Sequence, residues 1–276
     1  MYDFYLGSDE EVKKDEKKFL LGIKRMLPRW CNSIPDSEYL AIYDILQTLD
    51  LKGKKPVLVE TGAGASSIVL LHYAIKHGGT LFTWDTNGSK LAFLRSVIGD
   101  TLLKYNRKNL HDHWKFIAFD SNSEHLGISI LKEMGKEINF GFFDSEHTLK
   151  VLLGEVSNAN KVLADGGIIT IDDSNYNYKY MNVAYINMFR KKLGLGPIEN
   201  PSDNQGGTFG EEVEKFLKSK WNTVTHLRDT YKDNFKEDIF WRYYDLDRAV
   251  MGDAGMEKME MLANRFDSWK VSGRKE

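Results

Sequence analysis

The sequence contains almost no cysteine, little proline and no long apolar run. Its single cysteine, Cys31, excludes an internal disulfide and suits a reducing compartment. No stretch approaches the roughly 20 apolar residues that a membrane helix needs, and the amino terminus carries no apolar signal core. The formal net charge is only −2, so no overall field favours nucleic acid or an anionic membrane. These absences predict a cytoplasmic protein with neither kind of partner.

Strand-like and helix-like segments alternate along most of the chain. Hydrophobic residues make up 42% of the 276 residues, which is enough for a sizeable core. Alternation of this kind predicts an α/β fold, a doubly wound and mostly parallel sheet with helices on both faces. The predicted strands are Val57–Val59, Thr80–Trp84, Trp114–Phe119, Ile138–Phe143, Ile168–Ile171, Thr223–Leu227 and Ile239–Tyr244.

Helical patterns flank this central region at both ends. Residues 1–52 predict an N-terminal helical extension, with helices over 8–26 and Asp36–Leu49. Residues 53–250 are then predicted to form the main domain, which carries the motifs described below. Residues 251–276 predict a C-terminal helix, whose methionines suit core packing or a homodimer contact. Between them, the glycine-bearing segment 194–210 is either a lid over the ligand or a plain connector.

The first strand runs into a glycine turn, Glu60-Thr61-Gly62-Ala63-Gly64-Ala65-Ser66. Two glycines at this spacing let the backbone turn sharply and approach a ligand, at the N-terminus of a new helix. The third glycine of the dinucleotide fingerprint is missing, since Ser67 stands there. Asp85 ends the next strand, where a carboxylate can accept hydrogen bonds from a ribose diol. That position fits NAD and S-adenosylmethionine equally.

The turn Glu60-Thr61-Gly62-Ala63-Gly64 resembles the first motif of class I S-adenosylmethionine-dependent methyltransferases, acidic-x-Gly-x-Gly. The resemblance implies a seven-stranded Rossmann-like sheet and S-adenosylmethionine as cofactor. It also implies a set of cofactor-binding residues, with the end of the third strand bordering the adenine. Those residues are Glu60, Gly62, Gly64, Ser66, Asp85, Asp120, Ser121 and Asp144.

A second block, Asp144-Ser145-Glu146-His147 to Asp172-Asp173, resembles bacterial metal-dependent O-methyltransferases of the catechol and sugar type. Asp165 and Glu146 depart from that pattern, where proline and aspartate are usual. Acids at two neighbouring strand ends repel one another unless a cation, a proton or a donor intervenes. The resemblance assigns Asp144, Asp172 and Asp173 to a divalent cation, Mg²⁺ in that group. Helix capping is the alternative role for these acids.

For the acceptor's proton the sequence offers two candidate bases, Glu146 and His147. The expected substrate is a small hydroxylated molecule, a sugar or another polyol. Two rival functions stay open at this point. One is an NAD-dependent oxidoreductase, supported by Gly62, Gly64 and Asp85. The other is a catalytically silent module that binds a cofactor or a protein.

Overall fold

The computed structural model describes residues 14–32, 34, 36–106, 108–146, 148–172, 191, 194, 196, 209–218, 223–226 and 271–274. Its strands form one sheet in the order β3-β2-β1-β4-β5-β7-β6. The strands are β1 (Val57–Thr61), β2 (Thr80–Trp84), β3 (Trp114–Ile117), β4 (Ile138–Phe143), β5 (Leu163–Ile171), β6 (Thr223–His226) and β7 (Val271–Arg274). The first five are parallel, and β7 is antiparallel to both of its neighbours. The predicted α/β fold with a mostly parallel sheet is confirmed.

Helices connect the strands and cover both faces of the sheet. They are α1 (Glu16–Lys24), α2 (Asp36–Leu46), α3 (Ala65–His77), α4 (Gly88–Asp100), α5 (Leu102–Asn106), α6 (Leu110–His113), α7 (Ile130–Glu133), α8 (Leu149–Asn160) and α9 (Phe209–Lys218). A 3-10 turn, Arg29–Cys31, lies between α1 and α2. No helix among the described residues is long and apolar enough to cross a membrane.

The sheet separates two apolar cores because strand side chains alternate between its faces. In β1, Leu58 belongs to the core shared with α1 to α4, whereas Val59 belongs to the core shared with α7 and α8. Ile168 and Ile169 of β5 divide in the same way. Burial on both faces explains why the central strands have almost uninterrupted apolar sequences.

The N-terminal helices share the first of these cores. Phe19 and Ile23 of α1 are buried in the same cluster as the apolar face of α3. Glu16 of α1 also accepts hydrogen bonds from Tyr43 of α2 (2.8 Å) and from Lys76 of α3 (2.7 Å). The extension therefore packs directly on the sheet domain, while the domain boundaries at residues 52 and 250 remain predictions.

Two predicted element bounds need correction, and two predicted segments lie wholly or mostly outside the described residues. Strand β5 begins at Leu163 rather than Ile168, because the Asp165-Gly166-Gly167 turn signal lies inside a strand with an irregular register. The predicted C-terminal helix is wrong at its end, since Val271–Arg274 pair with β5 and β6. The predicted strand Ile239–Tyr244 lies outside the described residues, as does most of segment 194–210.

Candidate functional site

The glycine turn after β1 is shaped by close backbone contacts. Gly62 has a φ of 80°, and a Cβ there would lie 1.7 Å from the carbonyl oxygen of Asp144. Its N–H donates to the carbonyl of Trp84 at 2.8 Å. A Cβ on Gly64 would lie 3.2 Å from the carbonyl oxygen of Cys31. Only glycine fits the first position, so the turn is held tightly between β2 and the end of β4.

Glu60 lies beneath this turn with no exposed surface. Its carboxylate accepts hydrogen bonds from the hydroxyls of Ser66 (2.5 Å), Ser67 (2.7 Å) and Thr83 (3.0 Å). Burial raises the pKa of Glu60 to about 7, although the three donors work against that rise. The structure thus gives Glu60 a part in holding the turn together, and contact with a cofactor remains a prediction for it.

Two further contacts extend this buried network. The indole N–H of Trp114 donates to the Thr83 hydroxyl at 2.9 Å. At the other end, the N–H of Gly64 donates to the Ser67 hydroxyl at 3.1 Å. Ser66, predicted to bind the cofactor, is 2% exposed and directs its hydroxyl inward to Glu60. Its hydroxyl therefore supports the turn from below.

Asp85 lies where the sequence predicts it, at the end of β2 beside the turn. One carboxylate oxygen accepts from the N–H of Ala63 (2.8 Å) and from the ammonium of Lys90 (2.9 Å). The other oxygen accepts from the N–H of Asn87 at 2.7 Å. A carboxylate offers about four acceptor positions, so these three bonds leave room for about one more. The Lys90 ion pair was not predicted from the sequence.

A cavity opens between the glycine turn and the end of β4. It is lined by Gly62 to Ser66, by Asp144 and Ser145, and by Lys90. Its remaining wall comes from Trp30, Cys31 and Ile34, which follow α1. Trp30 packs against Phe93 of α4, with ring centroids 5.1 Å apart. The N-terminal region thus contributes directly to the site, which the sequence did not indicate.

Cys31 lines this cavity, but its thiol is not a reactive one. The side chain is 3% exposed and its thiol points to the carbonyl of Pro28. Burial raises the pKa of the Cys31 thiol to about 11, so the thiolate is scarce at neutral pH. Cys31 is therefore buried in the manner of a small apolar residue.

The predicted metal ligands lie on neighbouring strands, as far as the structure describes them. Asp144 follows β4 and Asp172 follows β5, with Phe143 paired to Ile171 in the register. The N–H of Asp144 donates to Thr61, and that of Asp172 donates to Phe143, both at 3.0 Å. Asp173 lies outside the described residues, and within the described part no three ligand-type side chains form a metal group. The metal site remains a prediction.

The other predicted site residues differ in their surroundings. Glu146 is exposed, and His147 lies outside the described residues. Asp120 is exposed, and its carboxylate accepts from the N–H of Asn122 at 2.8 Å. Ser121 is 6% exposed and points away from solvent. Its hydroxyl donates to Glu155, a residue that sequence reasoning missed.

Glu155 of α8 connects the segments that follow β3 and β4 through buried hydrogen bonds. It is 1% exposed and accepts from the hydroxyls of Ser121 (2.5 Å) and Ser145 (2.7 Å). Burial raises the pKa of Glu155 to about 7, and the nearby charge of Asp144 adds to the effect. A signal existed in the sequence, because Glu155 interrupts the apolar stripe that Leu152, Val156 and Ala159 form on α8.

Part of the chain matches a known protein family. Residues 59–174 match the family model described as a methyltransferase domain. No curated protein matches the chain by sequence.

Two solved structures share the fold at low identity. The O-methyltransferase from Bacillus cereus, in complex with SAH, is 13% identical, with a TM-score of 0.50 and full coverage of both chains. The geranyl diphosphate C-methyltransferase from Streptomyces coelicolor A3(2), solved with Mg²⁺, is also 13% identical. Its TM-score is 0.51, with 99% of this chain and 84% of that chain covered.

Proposed function

We propose that this chain is an S-adenosylmethionine-dependent methyltransferase that methylates a hydroxyl of a small polar molecule, a sugar or another polyol, and the match of residues 59–174 to the methyltransferase-domain family model supports this. One observation carries the proposal. The glycine turn and the carboxylate-bearing end of β4 share one cavity, with the backbone of Gly62 packed against that of Asp144. A methyl donor on the turn would then lie beside the acids that are candidates to orient an acceptor.

The cofactor end of the cavity has the chemistry that a nucleoside sulfonium requires. The N–H groups of Gly62, Ala63 and Gly64 already donate within the protein, so the N-terminus of α3 is the part of the turn that suits the polar groups of the ligand. Asp85 would accept from the ribose hydroxyls, because it keeps acceptor capacity beside its bonds to Ala63 and Lys90. Binding in this place would set the methyl group near Asp144 and Ser145.

The acceptor end offers oxygen ligands of the kind that a hard divalent cation prefers. Asp144 and Asp172 end neighbouring strands, and Asp173 follows directly in the sequence. A cation held by these acids would lower the pKa of a hydroxyl bound beside it. Glu146 is exposed and two residues beyond Asp144, which suits it to accept the proton. His147 is the other candidate base.

Positioning is the part of the reaction that the chain's own residues supply most directly. Methyl transfer requires the acceptor oxygen in line with the sulfonium carbon, and holding it there lowers the barrier without any covalent intermediate. Trp30 and Ile34 line the cavity together with the turn. They would exclude water from the sulfonium while the acids hold the acceptor.

Calorimetry with S-adenosylhomocysteine and with NADH tests the cofactor assignment. We expect saturable binding of S-adenosylhomocysteine and none of NADH. Transfer of a labelled methyl group is then measured over a panel of sugars, catechols and other hydroxyl compounds, with and without Mg²⁺. Binding of NADH alone would contradict the assignment, and cofactor binding without transfer to any acceptor would indicate a silent module.

Substitutions separate the acceptor end from the cofactor end. Asp144→Asn should lower turnover while S-adenosylhomocysteine still binds, since Gly62 contacts the backbone rather than the carboxylate of Asp144. Asp112→Asn removes the same charge at an exposed position away from the cavity and serves as the control. Glu146→Gln should lower turnover by about 10²–10⁴-fold if Glu146 is the general base. Unchanged turnover in both site variants would refute these roles.

A further inference from the structure

A second cavity lies at the edge of the sheet, away from the glycine turn. Its apolar lining comes from Leu91 of α4, Leu110 of α6, and Trp114 and Phe116 of β3. Its basic lining comes from Arg95, His111 and Lys115. We call these seven residues the edge pocket. It shares no lining residue with the cofactor cavity.

The topology explains why the two cavities are separate. β3 is the outermost strand of the sheet, and Trp114 is its first residue. The edge pocket therefore lies toward the amino end of β3, whereas the glycine turn lies at the carboxyl end of β1. A ligand in the edge pocket would not compete with the cofactor for space.

The basic lining is organised around one residue. Arg95 donates to the Nε2 atom of His111 at 3.2 Å, and a guanidinium can only donate, so that nitrogen accepts. The ammonium of Lys115 donates to the backbone carbonyl of His111. His111 thus accepts a hydrogen bond from each of the two cationic side chains.

The two cations lack a counter-charge in the part of the chain that the structure describes. Neither Arg95 nor Lys115 forms an ion pair with an acid there, and no carboxylate lines the pocket. Elsewhere in the described part, Lys24, Lys76 and Lys90 each pair with a carboxylate. Two unneutralised cations beside an apolar lining favour an anion that also has apolar surface.

The aromatic part of the lining restricts the shape of the occupant. Trp114 and Phe116 meet edge to face, with ring centroids 5.7 Å apart and planes at 87°. The pocket volume of about 260 Å³ falls just below the roughly 300–1,000 Å³ of pockets for drug-sized ligands. We propose that the edge pocket is a second binding site, for a small organic anion composed of one apolar ring and a phosphate or carboxylate group.

Calorimetry with phenyl phosphate tests this site on the full chain. Two half-ligands serve as controls, inorganic phosphate for the charge and benzyl alcohol for the ring. We expect phenyl phosphate to bind with one-to-one stoichiometry and at least about tenfold more tightly than either half, since it uses both the basic and the apolar lining. Affinity no better than that of inorganic phosphate would overturn the proposal.

Charge substitutions locate the binding. Arg95→Gln and Lys115→Gln should each weaken phenyl phosphate binding by about tenfold, because each removes a charge-assisted contact. Lys108→Gln removes the same charge at an exposed position outside the pocket and should leave the affinity unchanged. Lys115→Arg keeps the positive charge and should therefore retain most of the wild-type affinity for phenyl phosphate. Equal affinities in all these variants would place the ligand elsewhere and refute the proposal.

A competition experiment separates this site from the cofactor cavity. Phenyl phosphate should bind with undiminished stoichiometry when S-adenosylhomocysteine is saturating. Displacement by S-adenosylhomocysteine would show that the anion occupies the cofactor cavity instead. The charge substitutions remain decisive even if S-adenosylhomocysteine fails to bind, so failure of the methyltransferase proposal would be distinguishable from failure of this one.

Discussion

Replacing Glu60 by glutamine should change how the stability of the protein depends on pH. Glu60 is fully buried, and its pKa rises from 4.5 to about 7 because burial penalises the charged form. Between these values the folded protein holds a proton that the unfolded chain has released. The free energy of unfolding therefore falls as the pH rises through this window, and the penalty is complete above about pH 8.

The size of the effect follows from the shift in pKa. A raised pKa of this size costs the folded state about 3 kcal/mol when the carboxylate is fully ionised. Most of that cost develops between about pH 5 and 8. Glu60→Gln cannot ionise, so the difference in stability between variant and wild type should shift by this amount in favour of the variant. Mismatched hydrogen bonds to Ser66, Ser67 and Thr83 would add a constant loss.

Urea denaturation at several pH values between about 5 and 8 measures this difference. The control is Glu137→Gln, whose side chain is 67% exposed and makes only a 4.0 Å ion pair with Lys54. The control difference should stay nearly constant over the same range. A constant difference for Glu60→Gln would mean that Glu60 is ionised throughout, and the argument from burial would be wrong.

Further predictions concern the turn, the ribose position and the cysteine. Gly62→Ala should destabilise the protein by more than about 3 kcal/mol, because its Cβ would overlap the Asp144 carbonyl. Gly99→Ala, near the C-terminal end of α4 with open space around it, is the control, and equal melting temperatures would contradict the clash. Asp85→Asn should weaken S-adenosylhomocysteine binding by about 1.5–3 kcal/mol in calorimetry, whereas an unchanged affinity would move the ribose contact elsewhere. At neutral pH, Cys31 should react with a disulfide reagent about a hundredfold more slowly in the folded protein than in urea, because burial raises its thiol pKa to about 11 and leaves it 3% exposed. Equal rates would contradict the burial.

Local sequence determined the segments that carry the glycine turn. An apolar strand, two spaced glycines and an apolar helix define β1, the turn and α3 within about twenty residues, and Gly78 ends the helix in the left-handed conformation that the sequence suggests. The placement of Asp85 and Asp144 at strand ends was also predictable. In parallel α/β units each strand ends at the same edge of the sheet, so position along the chain implies position at that edge.

Tertiary structure alone decided which side chains surround the site and which lie beneath it. Glu60 appeared in the sequence as a cofactor residue, yet contacts with Thr83 from the next strand bury it under the turn. Trp30 reaches the cavity only because α1 packs across α3. Glu155 lies on a helix whose apolar stripe it interrupts, and its partners come from two separate strand ends. Such contacts join residues far apart in the chain, so they depend on how the elements pack and no local pattern encodes them.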